Sequence, residues 1–369
     1  MSSSVIRIDG SDGGGQLIRT ALTLSLATGK PFVAERIRAR SEPGGLTPAL
    51  LACVRAAQAV SGAGVEGAQA GSPTLSFEPG PLRAGHYLFD AGPAGAVSRL
   101  VQVLAVPLGL AGSPSTLKLT GLTHRAGAPV MPFLSLLWLP VLRELGHDLE
   151  VELGAAGYGA EAGGEVTVTV RKAGTPSAVD RRSRGTLREA RVLSTVSNLP
   201  FEVAGRQSER ALQRLREAGI HAEADNLPVR APRSKGSCCL VFGAFERGRA
   251  GFASLGAEEG DAEACAEEAV EAFVGFMRTR GAVDEHLADQ LLVPLALAAA
   301  GLQGPGKPVS RLAAPRATEH VVATASLIAR FLDVEVAVLA APEGPEAEIR
   351  VAPSEEGLVA ALRSRGREI

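Results

Sequence analysis

The sequence predicts an α/β protein made of three repeated units of two helices on a small β-sheet, with an inserted smaller α/β domain before the third unit. Two observations support this prediction. An apolar helical pattern that ends in glycine occurs three times in the 369 residues. The second and third occurrences are separated by an extra stretch about the size of a small domain.

The repeated apolar helix is the first element of each unit, at residues 16–29, 98–112 and 289–301. An apolar stretch of this kind with a final glycine is typical of a buried helix that ends in a left-handed cap. A second helical stretch follows each copy, at residues 46–62, 129–146 and 318–332. We therefore expect two helices in every unit.

The spacing of these helices indicates a true repeat. In every unit the second helix begins 17 residues after the capping glycine of the first, which is Gly29, Gly112 or Gly301. The first two capping glycines are 83 residues apart and the next two are 189 residues apart. The excess predicts a repeat-built core formed by residues 1–183 and 279–369, and an inserted α/β domain formed by residues 184–278.

Strand-like runs complete the units, at residues 5–8, 32–37 and 74–77, then 86–89, 116–119, 149–153 and 165–170, and finally 334–339 and 348–351. The predicted insert follows the charged stretch 180–184 and has its own patterns. Residues 208–218 predict an amphipathic helix with Ser208 as its N-cap, and residues 237–245 predict a strand. Arginines near the start of the insert fit either a polyanion contact or a solvated face.

Composition excludes some classes of protein. The formal net charge of −2 gives no global field for a polyanion, so any such site has to be local. Aromatic residues make up only 4% of the chain, which argues against recognition by base stacking. There is no basic and apolar leader and no long apolar run, so we expect a cytoplasmic protein without membrane contact.

A glycine-rich turn at residues 8–16 leads from the first strand into the first helix. Glycines let backbone N–H groups approach a phosphate at a helix N-terminus, and Asp12 is a candidate ligand for Mg²⁺. A purely structural turn explains the glycines equally well. Arg19 lies one turn into an otherwise apolar helix, and a cation in that position predicts an anionic partner.

Two more arginines, Arg38 and Arg40, stand two residues apart at the end of a strand-like run. Strand periodicity predicts that both side chains share one face and bind a phosphate or carboxylate between them. Two solvated arginines are the alternative interpretation.

Residues 284–290 bring three carboxylates, His286 and Gln290 to the start of an apolar helix. Capping accounts for one or two of the acids, so Asp289 is a candidate site residue. His320 opens the last predicted helix behind the N-cap candidate Thr318. Because the helix dipole there disfavours an imidazolium, the sequence predicts a neutral and nucleophilic imidazole, although helix histidines are more often plain surface or core residues.

Taken in order along nearly the whole chain, these blocks resemble RNA 3′-terminal phosphate cyclases. The blocks are DG and GGGQLIR within residues 9–19, IRAR and PG within 37–44, GY and GGEV within 157–166, VDEHLADQL at 283–291, and TEH at 318–320. The resemblance implies a core of three α/β units related to 5-enolpyruvylshikimate-3-phosphate synthase, with an inserted domain. It also implies ATP-dependent conversion of an RNA 3′-phosphate into a 2′,3′-cyclic phosphate.

The resemblance further implies a role for each matching residue. His320 matches the histidine that attacks the α-phosphate of ATP and forms a covalent histidyl-AMP. Asp289 and Gln290 match residues near the adenylate, and His286 stands where the family has a tyrosine. Independently of the resemblance, stabilising charge on the transferred phosphoryl group requires cations, which Arg19, Arg38, Arg40 and a Mg²⁺ or Mn²⁺ ion on Asp12 can supply. The implied partner is RNA with a 3′-terminal phosphate. The sequence does not decide whether the protein forms a homodimer.

The chain departs from the family pattern at several positions. The glycine loop is shorter and has Asp12 in place of glutamate, and Thr47 and Pro48 replace a basic residue and a glutamine. Glu258 and Glu259 lie where the family has a basic segment. These departures keep two alternatives open. One is a cyclase-like protein that binds RNA or a ribonucleoprotein without catalysis, and the other is an enolpyruvyl-type transferase.

Overall fold

The computed structural model describes residues 5–11, 14–92, 95–159, 163–304, 306–340 and 346–354. Within these residues the strands form four sheets of four strands each, and helices accompany every sheet. The α/β class predicted from the sequence is therefore confirmed.

The first sheet is formed by the N-terminal elements, which are β1 (Ile6–Asp9), α1 (Gly14–Thr28), β2 (Phe32–Glu35), α2 (Pro48–Ser61), β3 (Gly64–Glu66) and β4 (Leu75–Glu78). Its strand order is β1-β2-β4-β3. Strands β1 and β2 are parallel, and α1 provides the crossover that a parallel pair requires. The other two pairs are antiparallel.

The second sheet has the same order and directions, β5-β6-β8-β7, with only β5 and β6 parallel. Its elements are β5 (His86–Asp90), α3 (Val97–Leu108), β6 (Ser115–Gly121), α4 (Met131–Phe133), a π-helical turn (Leu134–Trp138), α5 (Leu139–Glu144), β7 (Leu149–Ala155) and β8 (Gly164–Val170). Pro140 in α5 has no N–H to donate to the Leu136 carbonyl. That carbonyl accepts a hydrogen bond from Arg249 Nη1 at 3.4 Å instead.

The chain then forms the short strand β9 (Asp180–Arg181) before it enters the predicted insert. The insert contains β10 (Leu187–Ser197), α6 (Glu202–Glu217), β11 (Glu223–Pro228), β12 (Gly236–Phe245), β13 (Arg249–Gly256) and α7 (Ala262–Met277). Its sheet has the order β11-β10-β12-β13. Both helices pack on this sheet around an apolar cluster that includes Val192, Leu215 and Phe273.

The predicted start of the helix in the insert is wrong. The helix begins at Glu202, six residues before Ser208, and Ser208 is buried within it rather than capping it. The Ser208 hydroxyl donates a hydrogen bond to the side chain of Asn226 on β11. A serine in a helix start pattern is therefore used here to join the helix to its sheet.

The third sheet is completed by the elements α8 (Glu285–Ala299), β14 (Ser310–Ala314), α9 (Glu319–Phe331), β15 (Val334–Ala340) and β16 (Ala347–Pro353). Its order is β15-β16-β14-β9, and β9 is parallel to β14. The charged stretch 180–184 therefore contains a strand of the third sheet. The chain leaves that sheet after β9 and returns to it through α8.

The helices of the three sheets pack against one another through a shared apolar core. Helix α1 contacts α2, α3, α8 and α9, and α8 contacts α9. The rings of Phe32 on β2 and Phe331 on α9 meet edge to face, with centroids 6.4 Å apart. This packing brings residues near the starts of α1, α2, α3, α8 and α9 to the wall of one cavity.

Candidate active site

A cavity of about 1030 Å³ opens among these helices and strand β13. Its size is at the upper end of the usual range for small-molecule sites. The predicted site residues that line it are Arg19, Arg38, His286, Asp289, Gln290 and His320. Thr47 and Pro48 line it as well. Six of the eight predicted site residues thus meet in one place.

His320 is the second residue of α9, and its side chain is exposed to the cavity. The predicted cap is present, because Thr318 Oγ1 accepts a hydrogen bond from the Val321 backbone N–H at 3.1 Å. The first backbone N–H groups of a helix have no partner within that helix. His320 therefore lies where an anionic group can also be held by the helix terminus.

Asp289 on α8 connects three helices at the cavity wall. Its carboxylate accepts a hydrogen bond from Gln16 Nε2 on α1 and another from Thr324 Oγ1 on α9 at 3.3 Å. Burial raises the pKa of Asp289, while the Gln16 hydrogen bond and the charge of His320 act in the opposite direction. The carboxylate is therefore close enough to His320 to interact with it.

Gln290 has a buried amide oxygen that no described donor reaches. Its backbone carbonyl accepts from Trp138 Nε1 at 3.4 Å, and both side chains line the cavity. A buried acceptor without a partner is unfavourable unless a ligand or water supplies the donor. The amide oxygen thus fits a ligand that carries an N–H group.

Arg19 on α1 faces the cavity in a confined space. A Cβ atom placed on Gly15 would lie 3.1 Å from Arg19 Nη1, so glycine at position 15 leaves room for the guanidinium. Burial lowers the pKa of Arg19, and the Asp289 carboxylate acts against this shift. Arg19 forms no salt bridge with any residue that the structure describes.

The predicted geometry of Arg38 and Arg40 is wrong. Strand β2 ends at Glu35, and residues 37–40 form a turn in which Arg38 has a φ of 51°. Strand alternation therefore does not apply to the pair. Arg38 lines the cavity and donates to the Gly45 carbonyl at 3.3 Å, whereas Arg40 is not part of the cavity wall.

Some residues near the start of α8 stabilise the helix and others line the cavity. Asp284 is the N-cap and accepts from the His286 and Leu287 N–H groups at 3.0 and 2.8 Å. Its other oxygen accepts from the Gly251 N–H of β13 at 3.3 Å. Burial raises the pKa of Asp284 to about 6. Glu285 pairs with Arg316, so the cavity receives His286, Asp289 and Gln290 from this segment.

The candidate metal ligand Asp12 lies outside the described residues. Among the residues that are described, no group of three His, Cys, Asp or Glu side chains is placed to hold a metal ion. The same residues contain no helix that is both long and apolar enough to cross a membrane.

Comparison with known proteins identifies the family. Residues 11–338 match the family model described as RNA 3′-terminal phosphate cyclase. The chain belongs to the RNA 3′-terminal phosphate cyclase family. A relative named RNA 3′-terminal phosphate cyclase from Ralstonia nicotianae is 37% identical over 351 residues, which cover 94% of this chain and 97% of the relative.

Other relatives of the same name agree over similar lengths. The cyclase of Ectopseudomonas mendocina is 37% identical and covers 93% of this chain and 97% of its own length. The cyclase of Koribacter versatilis is 35% identical and covers 90% and 91%. A solved enolpyruvyl transferase, NikO from Streptomyces tendae, is 18% identical, covers 45% of this chain and 33% of its own length, and has a TM-score of 0.26.

The sequence interpretation missed several residues of this cyclase-family cavity. Gln16 and Thr324 hold Asp289, and Arg99 and Arg125 line the wall beside Arg19. Arg99 could have been identified by the same argument as Arg19, because it too is a cation on an otherwise apolar helix. Arg125 lies in a loop without a distinctive pattern, so only the tertiary structure reveals it.

Proposed function

We propose that this chain is an ATP-dependent RNA 3′-terminal phosphate cyclase that uses His320 as its nucleophile. The observation that carries the proposal is the meeting of His320, Asp289 and Arg19 in one cavity of a chain that belongs to the cyclase family. A nucleophile, a group that positions it and a cation for phosphate are the parts that nucleotidyl transfer to a protein side chain requires.

In the first step a nitrogen of the His320 imidazole forms a bond to the α-phosphorus of ATP. The bond from that phosphorus to the bridging oxygen breaks, and pyrophosphate leaves with the electron pair. Thr318 supports this step by fixing the start of α9, while the Asp289 carboxylate lines the same cavity and interacts with the developing charge of the imidazole. Arg19 and Arg38 stabilise negative charge on the phosphates.

In the second step an oxygen of the RNA 3′-phosphate attacks the same phosphorus, and the nitrogen–phosphorus bond to His320 breaks. The vicinal 2′-OH then attacks the RNA phosphorus and loses its proton, and AMP departs. The products are a 2′,3′-cyclic phosphate and AMP, and His320 returns to its starting form. Covalent catalysis thus divides one difficult displacement into easier ones.

The cavity fits a nucleotide. Gln290 offers a buried amide oxygen without a donor, which suits an N–H of a base, and the arginines suit the phosphates. A divalent ion, Mg²⁺ or Mn²⁺, would neutralise charge on the phosphate tail when it is bound. We propose Asp12 as its ligand from the sequence alone.

Labelling with ATP tests the proposal. The protein is incubated with α-labelled ATP and Mg²⁺ or Mn²⁺, and acid-labile label on the protein is measured. We expect label on the unmodified protein and on a control His221→Ala variant, because His221 is exposed and lies outside the cavity. We expect none on His320→Ala. Absence of label on the unmodified protein, or label that survives His320→Ala, refutes the mechanism.

One observation favours the non-catalytic alternative. Thr47 and Pro48, which replace a basic residue and a glutamine of the family pattern, both line the cavity. Thr47 caps α2 by accepting from the Leu50 N–H at 3.2 Å, and Pro48 is the first residue of that helix. A protein that binds 3′-phosphorylated RNA without acquiring label would fit this alternative.

We also propose that the chain arose from three copies of one unit with a later insertion. The shared strand order and directions of the first, second and third sheets support this interpretation. We propose residues 1–183 and 279–369 as the core and residues 184–278 as the insert, which is supported by the separate sheet and apolar cluster of β10–β13.

A further inference from the structure

Two arginines that neither the sequence pattern nor the proposed nucleotide site employs lie together in the cavity wall. Arg99 is on α3, and Arg125 is in the loop after β6, so both come from the second sheet and its connections. Both are only partly exposed. A partly buried guanidinium normally has an anionic partner, because removing its charge from water is costly.

No carboxylate within the described ranges forms a salt bridge with either arginine. Arg99 donates to the Gly127 carbonyl at 2.7 Å, a neutral acceptor. The pKa of Arg99 falls to about 10, through burial first and then through the charges of Arg19 and Arg125. Three guanidiniums thus repel one another at one wall of the cavity, and an anion placed among them would relieve that repulsion.

Of the three arginines, Arg19 is the one that also belongs to the proposed nucleotide site around His320. The charges acting on Arg19 include both Asp289, which lies beside His320, and Arg125. Arg99 and Arg125 therefore extend the positive wall from Arg19 in a second direction. Thr47 and Pro48 border the same cavity at positions where the family pattern has a basic residue and a glutamine. Arg99 and Arg125 therefore supply positive charge to the cavity from a different wall.

We propose that Arg99 and Arg125, together with Arg19, form a subsite for the terminal phosphate of the RNA 3′ end. The inference rests on the proposed function and extends it to the acceptor. A dianionic terminal phosphate matches three cations better than a singly charged internucleotide phosphate does. One guanidinium can also donate two parallel hydrogen bonds to two phosphate oxygens. With the acceptor phosphate beside Arg19, the adenylyl group would need to pass only from His320 to an adjacent position.

Direct binding without ATP tests this subsite. A short labelled oligoribonucleotide is titrated with the full chain, once with a 3′-phosphate and once with a 3′-hydroxyl end, and fluorescence anisotropy is recorded. We expect the unmodified protein to bind the 3′-phosphate form about tenfold tighter or more, which corresponds to a hydrogen-bonded charged contact. Arg99→Gln and Arg125→Gln should each remove most of this preference, while Arg99→Lys should keep part of it because the charge remains.

Arg55→Gln is the matched control, since Arg55 is exposed on the neighbouring helix α2 and does not line the cavity. Arg55→Gln should leave the preference unchanged. If Arg99→Gln does not fold, Arg125→Gln decides the question, because the Arg125 side chain forms no hydrogen bond to a described residue. An unchanged preference in Arg125→Gln overturns the proposal.

A second measurement separates the phosphate of RNA from the phosphates of ATP. Competition by pyrophosphate against a labelled ATP analogue is compared in the unmodified protein and in Arg125→Gln. If the variant loses pyrophosphate competition while it keeps the preference for the RNA 3′-phosphate, the arginines serve the ATP tail and the proposal is wrong. Labelling of His320 with ATP alone fails only if the proposed function fails, so the two failures are distinguishable.

Discussion

The buried carboxyl of Asp284 should make the stability of this protein depend on pH in a specific way. Asp284 has an ordinary pKa of 3.8 and a folded-state pKa of about 6, chiefly because burial removes it from water. Between these values the folded chain binds a proton that the unfolded chain has lost. The free energy of unfolding should therefore fall as pH rises through this window.

The magnitude follows from the interval between the two pKa values. It corresponds to about 2 kcal/mol between pH 4 and pH 7. In Asp284→Asn the amide oxygen can still accept from the His286 and Leu287 N–H groups, but the bond from Gly251 is lost at every pH. The variant should therefore be destabilised by a constant amount at every pH. Relative to the unmodified protein it should also gain about 2 kcal/mol as pH rises from 4 to 7.

Urea unfolding at pH 4, 5, 6 and 7 measures this difference. Asp261→Asn is the matched control, because backbone N–H groups of Glu258 and Ala257 lower the pKa of Asp261. Its difference from the unmodified protein should stay nearly constant from pH 4 to pH 7, since the Asp261 carboxylate contributes stability that is lost mainly below its ordinary pKa of 3.8. A flat difference for Asp284→Asn, or one with the same slope as Asp261→Asn, would contradict the reasoning.

Two further predictions concern the surroundings of His320. Thr318→Ala removes the cap of α9 and should lower the free energy of unfolding by about 1 kcal/mol in urea, whereas Ser326→Ala on the exposed face of α9 should change it by less than about 0.5 kcal/mol. Asp289→Asn should slow labelling by ATP by about tenfold or more, because it weakens the connection between α1, α8 and α9. Thr324→Val removes only the 3.3 Å contact and should slow labelling less; the reverse order would show that Asp289 does not position this wall.

Local patterns predicted the elements that depend on nearby residues. Helix α9 was expected at 318–332 and covers Glu319–Phe331, because its cap and its apolar period are both encoded in one short segment. The end of β2 was not predicted, since the positive φ of Arg38 belongs to a turn that apolar alternation does not reveal. The start of α6 was missed because Ser208 has a partner on another element.

The site was predictable only in part, for the same reason. His320, Asp289 and Gln290 stand in recognisable sequence blocks, whereas the relation of Asp289 to Gln16 spans 273 residues and arises from helix packing. No local sequence pattern marks Arg125 as a site residue. Its importance is apparent only from the folded structure, in which its charge acts on Arg99. Contacts between segments that are far apart in sequence arise only in the folded structure, so a local sequence pattern does not predict them.

The cavity wall draws on residues from Gly15 to Thr324, which has a consequence for the making of the protein. During synthesis the early sheets can fold as they emerge, but the wall stays open until α9 has been made. A growing chain therefore presents its arginines to cellular anions before the histidine exists. The proposed transfer to His320 therefore requires a chain that has been synthesised at least through α9.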